Sequence, residues 1–308
     1  MPEQLREALR SVVAITVTPF DAAGAVDEAA YRTIAARVAQ AGATVLTPNG
    51  NTSEFYSLEP AELDRAVTLT LEAAGGRALV MPGVGFDVGR AVAMAESAAA
   101  AGAHGVMIHQ PVHPYQSEAG WVEYHRAVAE AVPGLGVVPY LRSPHVTAAA
   151  VAALAEARPN VVGVKYAVPD PLLFATVVAE FAAAAGAERL TWVCGLAEAW
   201  APFFWAGGAE GFTSGLVNVA PEVSVRLLER LRAGDRAGVR ELWARLRPLE
   251  DMRAARGNAD NVSVVKEALA QLGLCGRRVR PPISELADPA RAEVTERLKL
   301  LLTAAAPG

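Results

Sequence analysis

Eight short apolar runs recur along the chain, each followed by a longer stretch in which apolar positions return every three to four residues. The runs are residues 12–18, 44–48, 78–84, 105–110, 136–141, 161–167, 190–195 and 211–215, each five to seven residues long. Near-continuous hydrophobicity over such lengths is the pattern of strands buried on both faces. The intervening stretches, 27–40, 60–74, 87–101, 118–131, 147–157, 170–184 and 197–206, read as amphipathic helices. Asp27 and Asp87 stand at N-cap positions, and Pro60 with Glu62 occupies a first turn. Ala41-Gly42-Ala43, Ala101-Gly102-Ala103 and Gly207-Gly208-Ala209 close helices just before the next strand. Strand and helix alternating about every 25 to 30 residues, eight times over, predict an α/β fold of the (β/α)8 TIM-barrel type. A doubly wound sheet would carry a glycine-rich phosphate loop after its first strand, and Thr18-Pro19-Phe20 is not one. Beyond Pro221 the pattern is helical only, over 221–233, 235–255, 263–272 and 289–304. The first of these completes the barrel. The division expected is therefore a barrel over 1–232 and a C-terminal helical extension over 233–308, packed on the barrel or on another subunit.

One polar residue interrupts this pattern. The sixth run, Val161-Val162-Gly163-Val164-Lys165-Tyr166-Ala167, carries a lysine where an ammonium is costly. Only Lys165, Lys266 and Lys299 are lysines, so 25 of the 28 basic residues are arginine. Arginine stays charged, whereas burial can bring a lysine to a pKa of roughly 7 to 8, where its free amine attacks carbonyls to form a Schiff base. The competing reading of Lys165 is a strand-end lysine snorkelling to solvent or held in a buried ion pair.

Composition narrows the function classes. A formal charge of −5 and a pI of about 5.7 leave no basic footprint for nucleic acid. Cys194 and Cys275 are too few for a disulfide framework and form no CxxC pair, which fits a reducing cytoplasm. The start, MPEQLREALR, lacks the apolar core of a signal peptide, and no run of about 20 apolar residues is free of charge or helix breakers. A cytoplasmic protein acting on small molecules, without nucleic-acid or membrane partners, is expected. His104, His109, His113, His125 and His145 show no HxH or HExxH grouping, so no metal is expected.

Active sites of such barrels lie where the strands end at the C-terminal face. The polar residues there are Thr16 and Thr18, the loop Asn49-Gly50-Asn51-Thr52-Ser53-Glu54, His109 and Gln110, Tyr140 and Arg142, Lys165, Gly195, and Thr213 with Ser214. A lysine nucleophile, a tyrosine hydroxyl for proton transfer and a loop of N–H groups and hydroxyls for a carboxylate are what a 2-oxo acid needs to become an iminium and then an enamine. Each has a purely structural counterpart: Tyr140 as a buried strand tyrosine, the Asn49–Glu54 stretch as a turn before a helix, Asn218 as a cap. No cofactor is required. His113 is a further polar residue within reach of such a site.

With these residues assembled, the chain resembles the dihydrodipicolinate synthase and N-acetylneuraminate lyase family of Schiff-base aldolases and dehydratases, from Val17-Thr18-Pro19-Phe20 to Arg280-Pro281-Pro282. Gly50-Asn51-Thr52-Ser53-Glu54 is similar to the family's Gly-Thr-Thr-Gly-Glu carboxylate loop, Tyr140 stands at the place of its catalytic tyrosine, and Gly163-Val164-Lys165 matches the Gly-x-Lys of its Schiff-base lysine. Residues 208–221 resemble its eighth strand and following helix. The resemblance implies Lys165 and Tyr140 as catalytic residues. It implies Asn51, Thr52, Ser53, Arg142, Gly195, Thr213 and Ser214 as substrate-binding residues for a 2-oxo acid, and a homotetramer or dimer. Asn51-Thr52, Val112-His113 and His145 depart from the lysine-precursor synthase, which has two threonines, a partner tyrosine and an arginine at those places. Ser53-Glu54-Phe55-Tyr56-Ser57-Leu58, Tyr140-Leu141-Arg142 and Gly195-Leu196-Ala197-Glu198 look more like the 5-dehydro-4-deoxyglucarate dehydratase branch, although Ser53 and Leu141 replace its glycine and asparagine. A sugar-acid dehydratase is thus expected. The alternatives are a pyruvate-dependent aldolase or dihydrodipicolinate-type condensation, and, from another class, a non-catalytic 2-oxo-acid-binding barrel.

Overall fold

In the computed structural model, which describes residues 1–305, helix α1 (Pro2–Ala8) leads into alternating strands and helices. These are β1 (Val12–Ile15), α2 (Glu28–Gln40), β2 (Val45–Thr47), α3 (Pro60–Ala74), β3 (Leu79–Val80), β4 (Gly83–Val84), α4 (Val88–Ala100), β5 (Gly105–Ile108) and α5 (Glu118–Ala131). They continue as β6 (Gly136–Leu141), α6 (Ala148–Ala157), β7 (Gly163–Tyr166), α7 (Pro171–Ala185), β8 (Thr191–Cys194), α8 (Ala201–Ala206), β9 (Gly211–Ser214) and α9 (Pro221–Arg232). Neighbouring strands pair in parallel in the order β3-β2-β1-β9-β8-β7-β6-β5-β4. The two ends of that order are halves of one stretch, residues 79–84, so the sheet closes on itself. Pro82, which has no N–H to give a ladder, splits this expected single strand in two. Closure persists across the break, because the Gly83 N–H donates to the Pro48 carbonyl at 2.8 Å and the Met107 N–H donates to the Pro82 carbonyl at 2.9 Å. Nine strand segments therefore fill eight positions of a (β/α)8 barrel.

The helices begin where the side chains let them. Asp27, Asp87, Ser117, Thr147, Asp170 and Asp235 each accept a hydrogen bond from a first-turn N–H, which satisfies donors the helix itself leaves open. Between sheet and helices lies the larger apolar layer, including Val106, Val137, Val164, Tyr166, Trp192 and Phe212. Inside the barrel is a smaller one, with Val13, Val45, Met81, Met107, Val138 and Val193. Leu5 and Leu9 from α1 and the turn after it join this inner cluster and stopper the N-terminal end of the barrel. Gly136, at the start of β6, makes room for the stopper, since a Cβ there would lie 2.7 Å from Leu5 Cδ2.

After α9 come α10 (Arg236–Asn258), α11 (Asn261–Gln271) and α12 (Asp288–Ala305), which pack on one another, with α10 and α12 also against α9. Regular geometry in α10 ends before Ala255. Arg256, Gly257 and Asn258 follow in succession with φ of +51°, +68° and +69°, a left-handed run that re-aims the chain into α11. Among the described residues, no helix is long and apolar enough to cross a membrane.

Gly136→Ala and Leu5→Ala should each lower the free energy of unfolding, by roughly 1 to 3 kcal/mol for the crowded glycine and roughly 2 to 5 kcal/mol for the emptied leucine site. The double variant should lose clearly less than the sum, measured by urea titration.

Candidate active site

Period-two alternation decides which side chains enter the barrel. On β7, Val164 and Tyr166 face the layer under the helices while Lys165 faces inward, paired in register with Tyr140 on β6 and Val193 on β8. Lys165 is only 4% exposed. Its Nζ lies 3.9 Å from the centre of the Tyr140 ring and 3.6 Å from Met107 Sδ. Lys266 is paired with Glu54 and Lys299 with Glu296, but among the described residues no carboxylate pairs with Lys165. Burial, with a further push from the Arg142 cation, brings its pKa down to about 7. The amine is thus substantially neutral near pH 7 without being removed from reach. Gly195 next door is part of this arrangement, since a Cβ there would stand 3.0 Å from Lys165 Cγ and 2.8 Å from Ala167 Cβ.

Above Lys165, at the C-terminal mouth, opens a cavity of about 750 Å³. The structure brings seven of the expected residues to its wall: Asn51, Thr52, Tyr140, Arg142, Lys165, Gly195 and Thr213. Tyr140 is buried, and the Asn51 side-chain amide donates to its hydroxyl at 3.4 Å. Burial pushes the phenol upward from its ordinary value, opposed by Arg142 and by the Asn51 contact. Arg142 follows the last residue of β6 and turns back over the site, its guanidinium carbon 5.9 Å from the Tyr140 ring centre.

The structure does not bring Ser53 and Ser214 to the cavity. Ser53 is fully buried; its hydroxyl donates to the Thr16 carbonyl and accepts from the Gly50 N–H, and its own N–H donates to the Gly50 carbonyl. It shapes the loop, while the Asn51 and Thr52 N–H groups donate to no main-chain carbonyl among the described residues. Ser214 fails by strand phase. On β9, Thr213 faces in and Ser214 faces out, where it donates to the buried carboxylate of Glu198 and accepts from the Val217 N–H. His113 lies exposed in the loop after β5, its ring nitrogen accepting from the Tyr115 N–H. It too is absent from the cavity wall.

Three features escape a strand-end reading. The first is that the C-terminal helices supply much of the wall: Glu250, Asp251, Arg253 and Ala254 from α10, then Asn258 and Asn261. In sequence these are ordinary charged positions of an amphipathic helix, and only the i, i+3 spacing of Glu250 and Arg253 gives a signal. The second is the anchor of the loop after β2. Glu54, at φ +62°, pairs with Lys266 of α11 with both side chains fully buried, and its other oxygen accepts the Arg280 N–H at 2.8 Å. The scarcity of lysine was a signal here as well. The third is Glu198, buried and pushed up to about 7 by burial and then by Glu250, with Ser214 and Ser224 both donating to one oxygen.

A closed (β/α)8 barrel with a desolvated amine beneath a polar-walled cavity at its C-terminal mouth has the architecture of a barrel enzyme with its site at that mouth. The sequence pattern described as the dihydrodipicolinate synthetase family matches residues 8–301. The chain belongs to that family and is a lyase. It is 35% identical over 300 residues to a protein of Methylobacterium radiotolerans named "probable 5-dehydro-4-deoxyglucarate dehydratase", covering 96% of each chain, and 32% identical to one of the same name from Rhodococcus opacus, covering 97% of each. Among solved structures, dihydrodipicolinate synthase from Oceanobacillus iheyensis superposes with a TM-score of 0.92 at 37% identity, over 98% of this chain and 100% of that one. The corresponding protein from Bacillus clausii gives 0.91 at 40%, over 96% and 98%.

Lys266→Met, which strands the Glu54 carboxylate in the interior, should cost about 3 to 5 kcal/mol in urea unfolding. Lys299→Met, at an exposed pair, should leave the unfolding midpoint where it was.

Proposed function

We propose that this lyase forms a Schiff base between Lys165 and the carbonyl of a 2-oxo acid, and that its reaction is dehydration of a sugar acid of the 5-dehydro-4-deoxyglucarate type. The observation that carries the reading is the neutral-poised Lys165 amine, with no carboxylate partner among the described residues, set under a cavity far roomier than a three-carbon acid needs. The names of the curated relatives point to the same substrate. In that compound the carbonyl at C5 adjoins the C6 carboxylate, C4 is a methylene and C3 bears a hydroxyl. The amine adds to C5 and water leaves, giving an iminium that acidifies the C4 protons. Tyr140, whose hydroxyl Asn51 orients, gives its proton to the carbinolamine hydroxyl as that water leaves, takes one C4 proton as the phenolate, and passes it to the C3 hydroxyl, so that the C3–O bond breaks and water departs. Hydrolysis of the conjugated iminium frees the lysine. Thr52 with the open N–H groups of its loop holds the carboxylate beside the carbonyl, and Arg142 meets the distal one.

The names of the solved relatives favour a second reading, condensation of pyruvate with an aldehyde through the same lysine. Steady-state assays with 5-dehydro-4-deoxyglucarate, and with pyruvate plus an aldehyde, decide between them. Dehydration of the sugar diacid at the higher kcat/KM supports the first, and turnover of the aldehyde mixture alone supports the second. No turnover of either by folded enzyme contradicts both and favours a binding barrel.

The pH profile is a separate expectation. The amine attacks only when unprotonated, so kcat/KM should fall about tenfold per pH unit below about 7. Arg142 disfavours the ammonium by repulsion, so Arg142→Gln should move that acidic limb to higher pH.

A further inference from the structure

The cavity wall contains a guanidinium that the strand ends do not supply. Arg253 reaches down from α10 and is 3% exposed. Its Nη1 donates to Glu250 Oε1 at 2.6 Å, its Nη2 to Asn261 Oδ1 at 3.1 Å, and its Nε to the Asn261 carbonyl at 3.3 Å. A guanidinium has five N–H groups. Three are committed to the helix pair that carries it, which fixes the fork, and one on each Nη is left over among the described contacts. The place of that fork is given by Gly215, just beyond β9. A Cβ built on Gly215 would stand 2.5 Å from Arg253 Nη2 and 3.0 Å from Thr52 Oγ1. Arg253 and Thr52 therefore converge on one spot, and only the missing side chain at 215 lets them do so. Thr52 belongs to the loop whose Asn51 and Thr52 N–H groups are open. Arg142, by contrast, is exposed, its guanidinium carbon 5.9 Å from the Tyr140 ring centre.

Resting on the Schiff-base reading above, we propose that Arg253 is a substrate-binding residue: with Thr52 it grips the carboxylate bonded to the reacting carbonyl carbon. The C-terminal extension, not the barrel, thereby supplies the charge that makes the site demand a 2-oxo acid in place of a simple ketone. Glu250 neutralises the guanidinium overall, so the gain lies in two aimed, charge-assisted hydrogen bonds rather than in bulk attraction. A buried arginine held as a fixed fork loses little freedom when the ligand arrives.

The test compares binding of pyruvate and its neutral analogue methyl pyruvate by titration calorimetry. It uses the full-length wild type, Arg253→Lys, and the double variant Glu250→Gln/Arg253→Met, which removes both members of that buried ion pair. The wild type should prefer pyruvate. The double variant should lose roughly 10- to 100-fold of that preference through weaker pyruvate binding alone, and Arg253→Lys should retain an intermediate part. A preference that survives unchanged, equal weakening of both ligands, or a wild type indifferent to the carboxylate overturns the proposal, the second outcome marking Arg253 as a brace of the helix pair. Borohydride added to the wild-type pyruvate complex separates the two readings. Carboxylate preference that depends on Arg253 without any reducible adduct leaves this assignment standing and removes the Schiff base.

Discussion

The structure depends on the cost of keeping an ammonium out of water. Lys165 enters the barrel interior on a strand whose neighbours contribute methyl groups, a thioether and an aromatic face. Nothing in that surrounding compensates a positive charge as a carboxylate would, so the amine yields its proton near pH 7. The same chain shows the opposite solution at Lys266, where burial is equally complete but Glu54 and the Arg278 carbonyl receive the charge. One lysine is left ready to lose its proton by the absence of a partner. The other is made structural by its presence.

That difference also explains how the two halves of the chain cooperate. The loop after β2 is held by Ser53 on the Thr16 carbonyl and by the Glu54–Lys266 pair. It is therefore positioned jointly by barrel and extension. The roof of the cavity comes from the left-handed turn between α10 and α11 and from the charged face before it. A residue such as Asn258, non-glycine at φ +69°, holds a conformation that costs of order 1 kcal/mol or more, and such positions tend to cluster where a surface must be shaped for a ligand.

Much of this was legible in the sequence, for a physical reason. Parallel strands buried on both faces write themselves as apolar runs, and strand ends at the barrel mouth collect the polar residues, so the barrel, Lys165, Tyr140, Thr52 and Thr213 could be read in order. Ser214 could not, because one position along a strand reverses the face and a run of five residues does not reveal its own phase. Ser53 looked like a ligand of the substrate, yet a hydroxyl inside a tight loop finds main-chain partners first. Pro82 divided a strand without opening the barrel, since carbonyls on both sides of it still accept bonds. Arg253 and Glu250 were illegible for a different reason: the charged face of an amphipathic helix carries the same letters whether it meets solvent or a cavity, and only tertiary packing distinguishes the two.

The proposed chemistry requires Lys165 to act as a free amine. Reduction of the protein with borohydride in the presence of pyruvate, followed by mass mapping of the modified peptide, tests this most directly. The expected result is a single adduct on Lys165, formed readily at pH 8 and poorly at pH 6, and lost in Lys165→Ala. An adduct on Lys266 or Lys299, or none on folded protein, excludes Lys165 as the free amine of the site.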